Sequence, residues 1–481
     1  MKSFYPLLLL FFIFNLAFSQ TPCENGFAGE YPCHGYDLLS NVPVSVLANG
    51  LGNPEGSDIW GWVDPLDGKE YAIVAMTNST AFVDVTDPVN PIFLGRLDTA
   101  TSTSYWRDVK VYNNHAFIVA DNVGNHGMQV FDLTRLRNVG ALPITFTADA
   151  HYTEFGSAHN IVINESTGYA YIVGTSRNGP FSGGPAFIDI STPTNPVNAG
   201  GYPDEGYSHD AQVVTYNGPD TEHAGKEIYI GSNESEVLIL DVTDKNNVIK
   251  LAEISYSQLG YTHQGWFTDD HRYFILGDET DELSYGFNTR TLVFDLYDLD
   301  NPVLSSTYDG PTTAIDHNGY VLGNLFFLAN YRAGLRVLDI SNIAAPTDAM
   351  VEIGHFDTHP ESNSTAFNGA WSVYPYLPSG NIIISDIERG LFVIKSNTLS
   401  TEDVQPIKSV AFAPNPATYQ TKITSNKQAI TSVEVYNTLG KRIFSVNNIN
   451  QKEYVLPVKQ FAKGLYLVNI NNTFTKKLIV K

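Results

Sequence analysis

Apolar runs closed by an aspartate recur along most of the chain. The clearest is Leu335-Arg336-Val337-Leu338-Asp339-Ile340-Ser341. Its counterparts are Ala81-Phe82-Val83-Asp84-Val85-Thr86, Met128-Gln129-Val130-Phe131-Asp132-Leu133-Thr134 and Ala186-Phe187-Ile188-Asp189-Ile190-Ser191. Two more are Val237-Leu238-Ile239-Leu240-Asp241-Val242-Thr243 and Thr291-Leu292-Val293-Phe294-Asp295-Leu296. A last copy, Gly390-Leu391-Phe392-Val393-Ile394, lacks the aspartate. Short apolar runs rich in Val, Ile and Phe and bounded by turn residues read as buried strands. The six aspartates stand 48, 57, 52, 54 and 44 residues apart. A period of about fifty residues built from short strands is the signature of a β-propeller.

Each repeat parses into four strands. In the fifth these are Gln264–Phe267, Arg272–Gly277, Thr291–Asp295 and Pro302–Thr307, with Asp269-Asp270, Gly286 and Asp300-Asn301 as turns between them. Second strands are predicted at Tyr71–Ala75, His115–Ala120, Ala170–Gly174, Glu227–Gly231, Leu325–Ala329 and Asn381–Ser385, which makes seven blades. The seventh repeat runs out after its third strand. Val42–Leu47, upstream of the first, is expected to supply the missing fourth and close the ring. After a polar linker at Thr398–Val404, strands at Ile430–Tyr436, Lys441–Val446, Gly464–Ile470 and Phe474–Val480 predict a separate sandwich. The fold class is therefore all-β: a seven-bladed β-propeller over residues 20–403, followed by a small β-sandwich over 404–481.

Charge and termini add the setting. The formal net charge is −23, yet residues 405–481 carry +9, so the body is strongly acidic. Such a body would repel phosphate, which argues against nucleic acid as a partner. Lys2, the apolar run Pro6–Phe18 and the small-x-small Ala17-Phe18-Ser19 before Gln20 make residues 1–19 a signal peptide by pattern. The run is too short for a membrane span, and no transmembrane segment is expected in the mature protein. Cys23 and Cys33 are the only cysteines. In an exported chain so close a pair reads as a disulfide.

Two resemblances follow from these residues. The C-terminal segment resembles a type IX secretion sorting domain of the kind found in Bacteroidetes. The match rests on Pro414-Asn415-Pro416-Ala417, Val433–Asn437 with Gly440-Lys441, Leu456-Pro457 with Gly464–Val468, and the closing Lys476–Lys481. It implies the type IX secretion machinery as a partner, passage through the periplasm, and a secreted or outer-surface location. From Cys23 to about Ile394 the body resembles LVIVD-repeat proteins of the choice-of-anchor B family, a resemblance that brings no catalytic residue with it.

One set of residues goes beyond architecture. At the start of the first strand, consecutive repeats place His159-Asn160, His209-Asp210, His263-Gln264 and His317-Asn318. The corresponding pairs are read as Arg107-Asp108, Ile59-Trp60 and Asn368-Gly369. In an antiparallel pair the start of strand one lies beside the end of strand two. Asp121, Asp278 and Asp386 end second strands, with Glu279, Arg332, Glu388 and Arg389 close behind. All are expected around one mouth of the central channel. The candidate site is accordingly His159, His209, His263, His317, Asp108, Asp121, Asp210, Asp278 and Asp386. Imidazole with carboxylate suits a transition-metal ion, so a divalent cation is the candidate cofactor. The competing reading makes these histidines hydrogen-bonding links between blades.

The recurring aspartates read as turn chemistry, and Trp62, Trp106, Trp266 and Trp371 as packing between blades. The carboxylates Asp278-Glu279 and Asp281-Glu282 read as a solvated loop, with a calcium site as the sharper alternative. No Gly-x-Ser-x-Gly, phosphate loop or His-Glu-x-x-His occurs. The leading expectation is a secreted or cell-surface propeller that binds a ligand or partner at its channel mouth. The alternative is a metal-dependent extracellular hydrolase or lyase built on the histidine cluster.

Overall fold

The computed structural model describes residues 20–52, 54–397, 410–425, 429–437, 441–471 and 474–481. The proposed signal peptide and the linker Thr398–Val404 lie outside the described residues. Two compact units divide between Asn397 and Thr398.

The first unit is a seven-bladed β-propeller. Its innermost strands are Gly56–Val63, Arg107–Tyr112, Asn160–Asn164, Asp210–Thr215, Thr262–Phe267, Gly319–Leu322 and Ala370–Tyr374. Each opens an antiparallel ladder that runs outward through the blade. The apolar runs are the third strands. They are buried on both faces because each blade is covered by its neighbours. One such layer joins Ile73, Phe82 and Leu97 of blade one to Val109, Ile118 and Phe131 of blade two. Removing that much apolar surface from water, at roughly 25 cal/mol per Å², is what holds blade to blade.

Between third and fourth strands the same one-residue slip recurs in six blades, at Phe82/Val83, Phe187/Ile188, Ile239/Leu240, Val293/Phe294 and Val337/Leu338, and opposite Leu38/Ser40 in blade seven. Each such bulge increases the local twist. The recurring aspartates sit just beyond it. Asp84, Asp132, Asp189, Asp241, Asp295 and Asp339 each accept the backbone N–H two residues on. They hold the turn into strand four.

The ring closes through Tyr36–Val42, which pairs antiparallel with Gly390–Ser396 of blade seven. The closing strand thus lies upstream of the expected Val42–Leu47. Pro43 has no N–H to give to a ladder, so pairing stops there and Val44–Ala48 turns into a short helix. Leu39 and Val42 join the core between blades seven and one. Ahead of this strand, Phe27–Ala28 and Tyr31–His34 form a hairpin whose second strand pairs with Val351–Phe356, the edge of blade six. The Cys23–Cys33 disulfide ties it down.

The second unit has two sheets. One holds Val410–Ala413, Gln420–Ser425 and Glu453–Pro457; the other holds Arg442–Gln451, Ile430–Asn437, Gly464–Ile470 and Phe474–Val480. Ile423 and Leu456 from the first meet Val433, Val435, Val468 and Leu478 from the second in one core, a small sandwich.

Candidate functional site

At the start of three innermost strands a side chain hooks the next blade. Ser57 Oγ donates to the Arg107 carbonyl at 2.9 Å and accepts its N–H at 3.0 Å. His209 Nδ1 donates to the His263 carbonyl at 3.1 Å, and His317 Nδ1 to the Trp371 carbonyl at 2.5 Å. Blades one and seven therefore place Ser57-Asp58 and Trp371-Ser372 at this register, not Ile59-Trp60 and Asn368-Gly369. Slips between Gly56 and Ile59 and between Ala370 and Ser372 account for the displacement.

The four histidines form an unbroken arc around the channel. Ring centroids are 4.2 Å apart for His159 and His209, 4.4 Å for His209 and His263, and 4.4 Å for His263 and His317. Burial pushes the imidazoles of His209 and His263 far below their ordinary value, and that of His317 down to about 3, so all three stay neutral. The interblade hydrogen bonds of His209 and His317 use only Nδ1. That fixes the tautomer and leaves Nε2 with a free lone pair. His159 turns its Nδ1 to Asp121, 3.1 Å away.

Glu279 completes this end. It stands between His263 and His317, with Oε2 3.7 Å from the first Nε2 and Oε1 3.6 Å from the second. Tyr331 donates to Oε1 at 2.9 Å. Burial raises the Glu279 carboxyl to about 7. Above it opens a cavity of about 400 Å³ lined by Glu55, Tyr105, Trp106, Glu279, Tyr331, Phe367 and Trp371. Tyr105, Trp106 and Phe367 are exposed. A second cavity of about 570 Å³ includes Asp121, Arg177 and Tyr207, with the Arg177 guanidinium 3.9 Å over the Tyr207 ring. Trp106 is thus a wall of the mouth rather than interblade core, whereas Trp62 is buried between blades one and two.

The remaining candidate carboxylates lie elsewhere. Asp108 and Asp210 are one residue further along their strands, next to Asp58 and Lys110. Lys110 Nζ is 2.9 Å from Asp58 and 2.5 Å from Asp108. Burial pushes Asp108 up and Asp210 to about 7, while at Asp58 the Lys110 charge overcomes burial and holds the carboxyl down. Asp278 accepts the N–H groups of Gly260 and Tyr261 and the Tyr256 hydroxyl, and so ties down that loop. Asp386 accepts the N–H groups of Glu388 and Arg389. Neither carboxylate joins the histidine arc.

The expectation of a solvated acidic loop does not hold. Asp278 and Asp281 are fully buried and Glu282 nearly so, against the likewise buried Asp316. Arg290 is the cation among them, with Nε 2.5 Å from Asp281. The short helix Asp281–Tyr285 folds these carboxyls inward. Burial pushes Asp281 to about 7, Glu282 to about 9, and Asp316 well up.

The fold and this mouth define a β-propeller with a polar, aromatic-walled channel entrance. Comparison with known proteins places the chain more closely. Residues 68–99 and 320–358 match the LVIVD repeat, and residues 411–481 match a secretion system C-terminal sorting domain. The propeller carries LVIVD repeats and the chain ends in a type IX sorting tail, which indicates export to the cell surface or the extracellular space. No curated protein matches it.

Among solved structures it is similar to the hydrazine synthase of Kuenenia stuttgartiensis: 13% identity, TM-score 0.48, 69% of this chain and 93% of that one. A protein from Lactobacillus plantarum aligns with 10% identity and TM-score 0.46 over 84% of this chain and 100% of that one. A functionally unknown protein from Desulfotomaculum acetoxidans aligns with 12% identity and TM-score 0.40, over 60% and 83%. Among the described residues no helix is long and apolar enough to cross a membrane.

Proposed function

We propose that the propeller is an exported binding protein whose ligand face is the aromatic-walled channel mouth, and that its ligand is a carbohydrate. Residues 1–19 would direct entry to the periplasm, residues 20–403 would form the binding body, and residues 404–481 would be read by the type IX machinery. One observation carries the ligand class. Tyr105, Trp106 and Phe367, which the solvent reaches, stand with Tyr331 and Trp371 around a cavity of about 400 Å³ that the carboxylates Glu55 and Glu279 also line. Large apolar side chains left in water around a polar depression mark a binding surface. Aromatic faces cover the C–H faces of a sugar ring, and carboxylates accept its hydroxyls.

The test is affinity electrophoresis of the native protein through gels containing soluble plant, algal and bacterial polysaccharides. At least one should retard it. Trp106→Ala and Phe367→Ala should each abolish that retardation while leaving the melting curve within 1–2 °C of wild type, since exposed substitutions typically cost less than about 0.5 kcal/mol. Migration of the wild type unaffected by every polysaccharide, or retardation that survives both substitutions, would contradict the reading.

A further inference from the structure

We propose that His263, His317 and Glu279 hold a first-row transition-metal ion at this mouth, through two imidazole nitrogens and one carboxylate. Their ligand atoms lie within 4.8 Å of one another. Glu279 faces both rings at once, at 3.7 Å from His263 Nε2 and 3.6 Å from His317 Nε2. Hydrogen bonds fall at roughly 2.7–3.2 Å, so neither contact is one. Both are close to the spacing of donors around a shared ion. Bonds of about 2.1 Å at tetrahedral angles set neighbouring ligands about 3.4 Å apart.

The surroundings are those of a metal site. The Nδ1 hydrogen bond of His317 to the Trp371 carbonyl leaves Nε2 unprotonated and aimed at Glu279. Tyr331 orients the carboxylate by donating to Oε1, the oxygen that faces His317. His263 is only 2% exposed, its Nδ1 finds no hydrogen-bond partner, and its Nε2 faces Glu279 beyond hydrogen-bonding range. A buried imidazole with neither nitrogen bonded is costly, and an ion at Nε2 would take up its lone pair, leaving Nδ1 as the N–H. Among the described residues Glu279 pairs with no lysine or arginine.

Two other clusters differ in this respect. His223 Nε2 already hydrogen-bonds Asp300 at 2.9 Å, and Lys226 Nζ lies 3.1 Å from its Nδ1. Lys250 already bridges Glu205 and Glu253, at 2.8 and 2.5 Å. Two imidazoles with one carboxylate favour zinc, iron, cobalt or manganese over calcium and magnesium. Three protein ligands leave coordination positions open toward the cavity that Glu279, Tyr331 and Trp371 line.

The inference uses the mouth proposed above as a ligand face, but it does not depend on which ligand enters. The native protein is stripped with a chelator and titrated with Co²⁺ and Zn²⁺, followed by visible absorption and calorimetry. One equivalent of Co²⁺ should bind with ligand-field bands of a low-coordinate nitrogen–oxygen site, and Zn²⁺ should displace it. Glu279→Gln and His317→Gln should weaken binding on the order of 100-fold. Glu253→Gln, in the lysine-bridged cluster, should leave it unchanged. Failure of the wild type to bind one equivalent, or binding unaffected by Glu279→Gln, overturns the proposal, and the wild-type spectrum decides even if a variant fails to fold. Polysaccharide retardation that persists without metal binding would remove the metal site alone. Metal binding without retardation would remove the carbohydrate reading alone.

Discussion

Glu282→Gln should make the protein more stable, and increasingly so as the pH rises. Glu282 is 3% exposed, and burial together with the neighbouring Asp281 raises its carboxyl from 4.5 to about 9. In the unfolded chain the group ionises above its ordinary value. In the folded chain it keeps its proton until about pH 9. Between those limits the unfolded state binds fewer protons than the folded one, so stability falls as pH rises. Each unit is worth about 1.36 kcal/mol, so the cost relative to acid conditions is about 3 kcal/mol at pH 7 and about 5 kcal/mol at pH 8.

Glutamine removes the titration, keeps the shape, and offers N–H donors to the unpaired oxygens of Asp281 and Asp316. The assay is urea unfolding followed by tryptophan fluorescence at pH 5, 6, 7 and 8 in buffer free of divalent cations. Wild type and variant should lie within about 1 kcal/mol of each other at pH 5. The variant should lead by at least about 2 kcal/mol at pH 8. Parallel pH curves, or a variant less stable throughout, would refute the reasoning, because they would mean that the Glu282 carboxylate is ionised and paired.

Three further outcomes follow from the packing. Lys110→Met strands Asp58 and Asp108 without their cation, and should cost about 3–5 kcal/mol at pH 7 in the urea midpoint, with part recovered at pH 5; no loss would mean that both carboxyls are already protonated. Reducing Cys23–Cys33, a pair 10 residues apart, should cost about 2.7 kcal/mol and lower the melting temperature by roughly 3 °C; calorimetry with and without reductant measures it, and no shift would show that the hairpin holds without the bond. Asp339→Ala removes the acceptor for the Ser341 N–H and should cost about 1 kcal/mol, whereas Asp339→Asn should cost less than half of that, both read from urea midpoints.

The blades were legible because their third strands are apolar runs with a turn aspartate at nearly constant spacing, and stacked blades bury such runs on both faces. The closing strand was harder. Tyr36–Val42 and Val42–Leu47 are both half-apolar, and the decisive feature is the missing N–H of Pro43. The histidine arc was visible as a repeat, but Ser57 and Trp371 were not, since slips in blades one and seven shift the count. Glu279 could be placed at the mouth by register. Its position between two particular imidazoles depends on how adjacent blades meet, which residue spacing does not encode. Asp281 and Glu282 read as solvated because acidic residues are rarely buried, and only the packing of their short helix against Arg290 and Asp316 turns them inward.

Hydrogen exchange of the native protein tests the ligand face most directly, with and without the polysaccharide fraction of the producing cells' growth medium. The account predicts protection confined to segments 103–107, 277–281, 329–333 and 365–371, which carry Trp106, Glu279, Tyr331, Phe367 and Trp371. Protection confined instead to outer strands such as Ile92–Asp98 and Val197–Gly201 would place binding on the rim of the blades and contradict it.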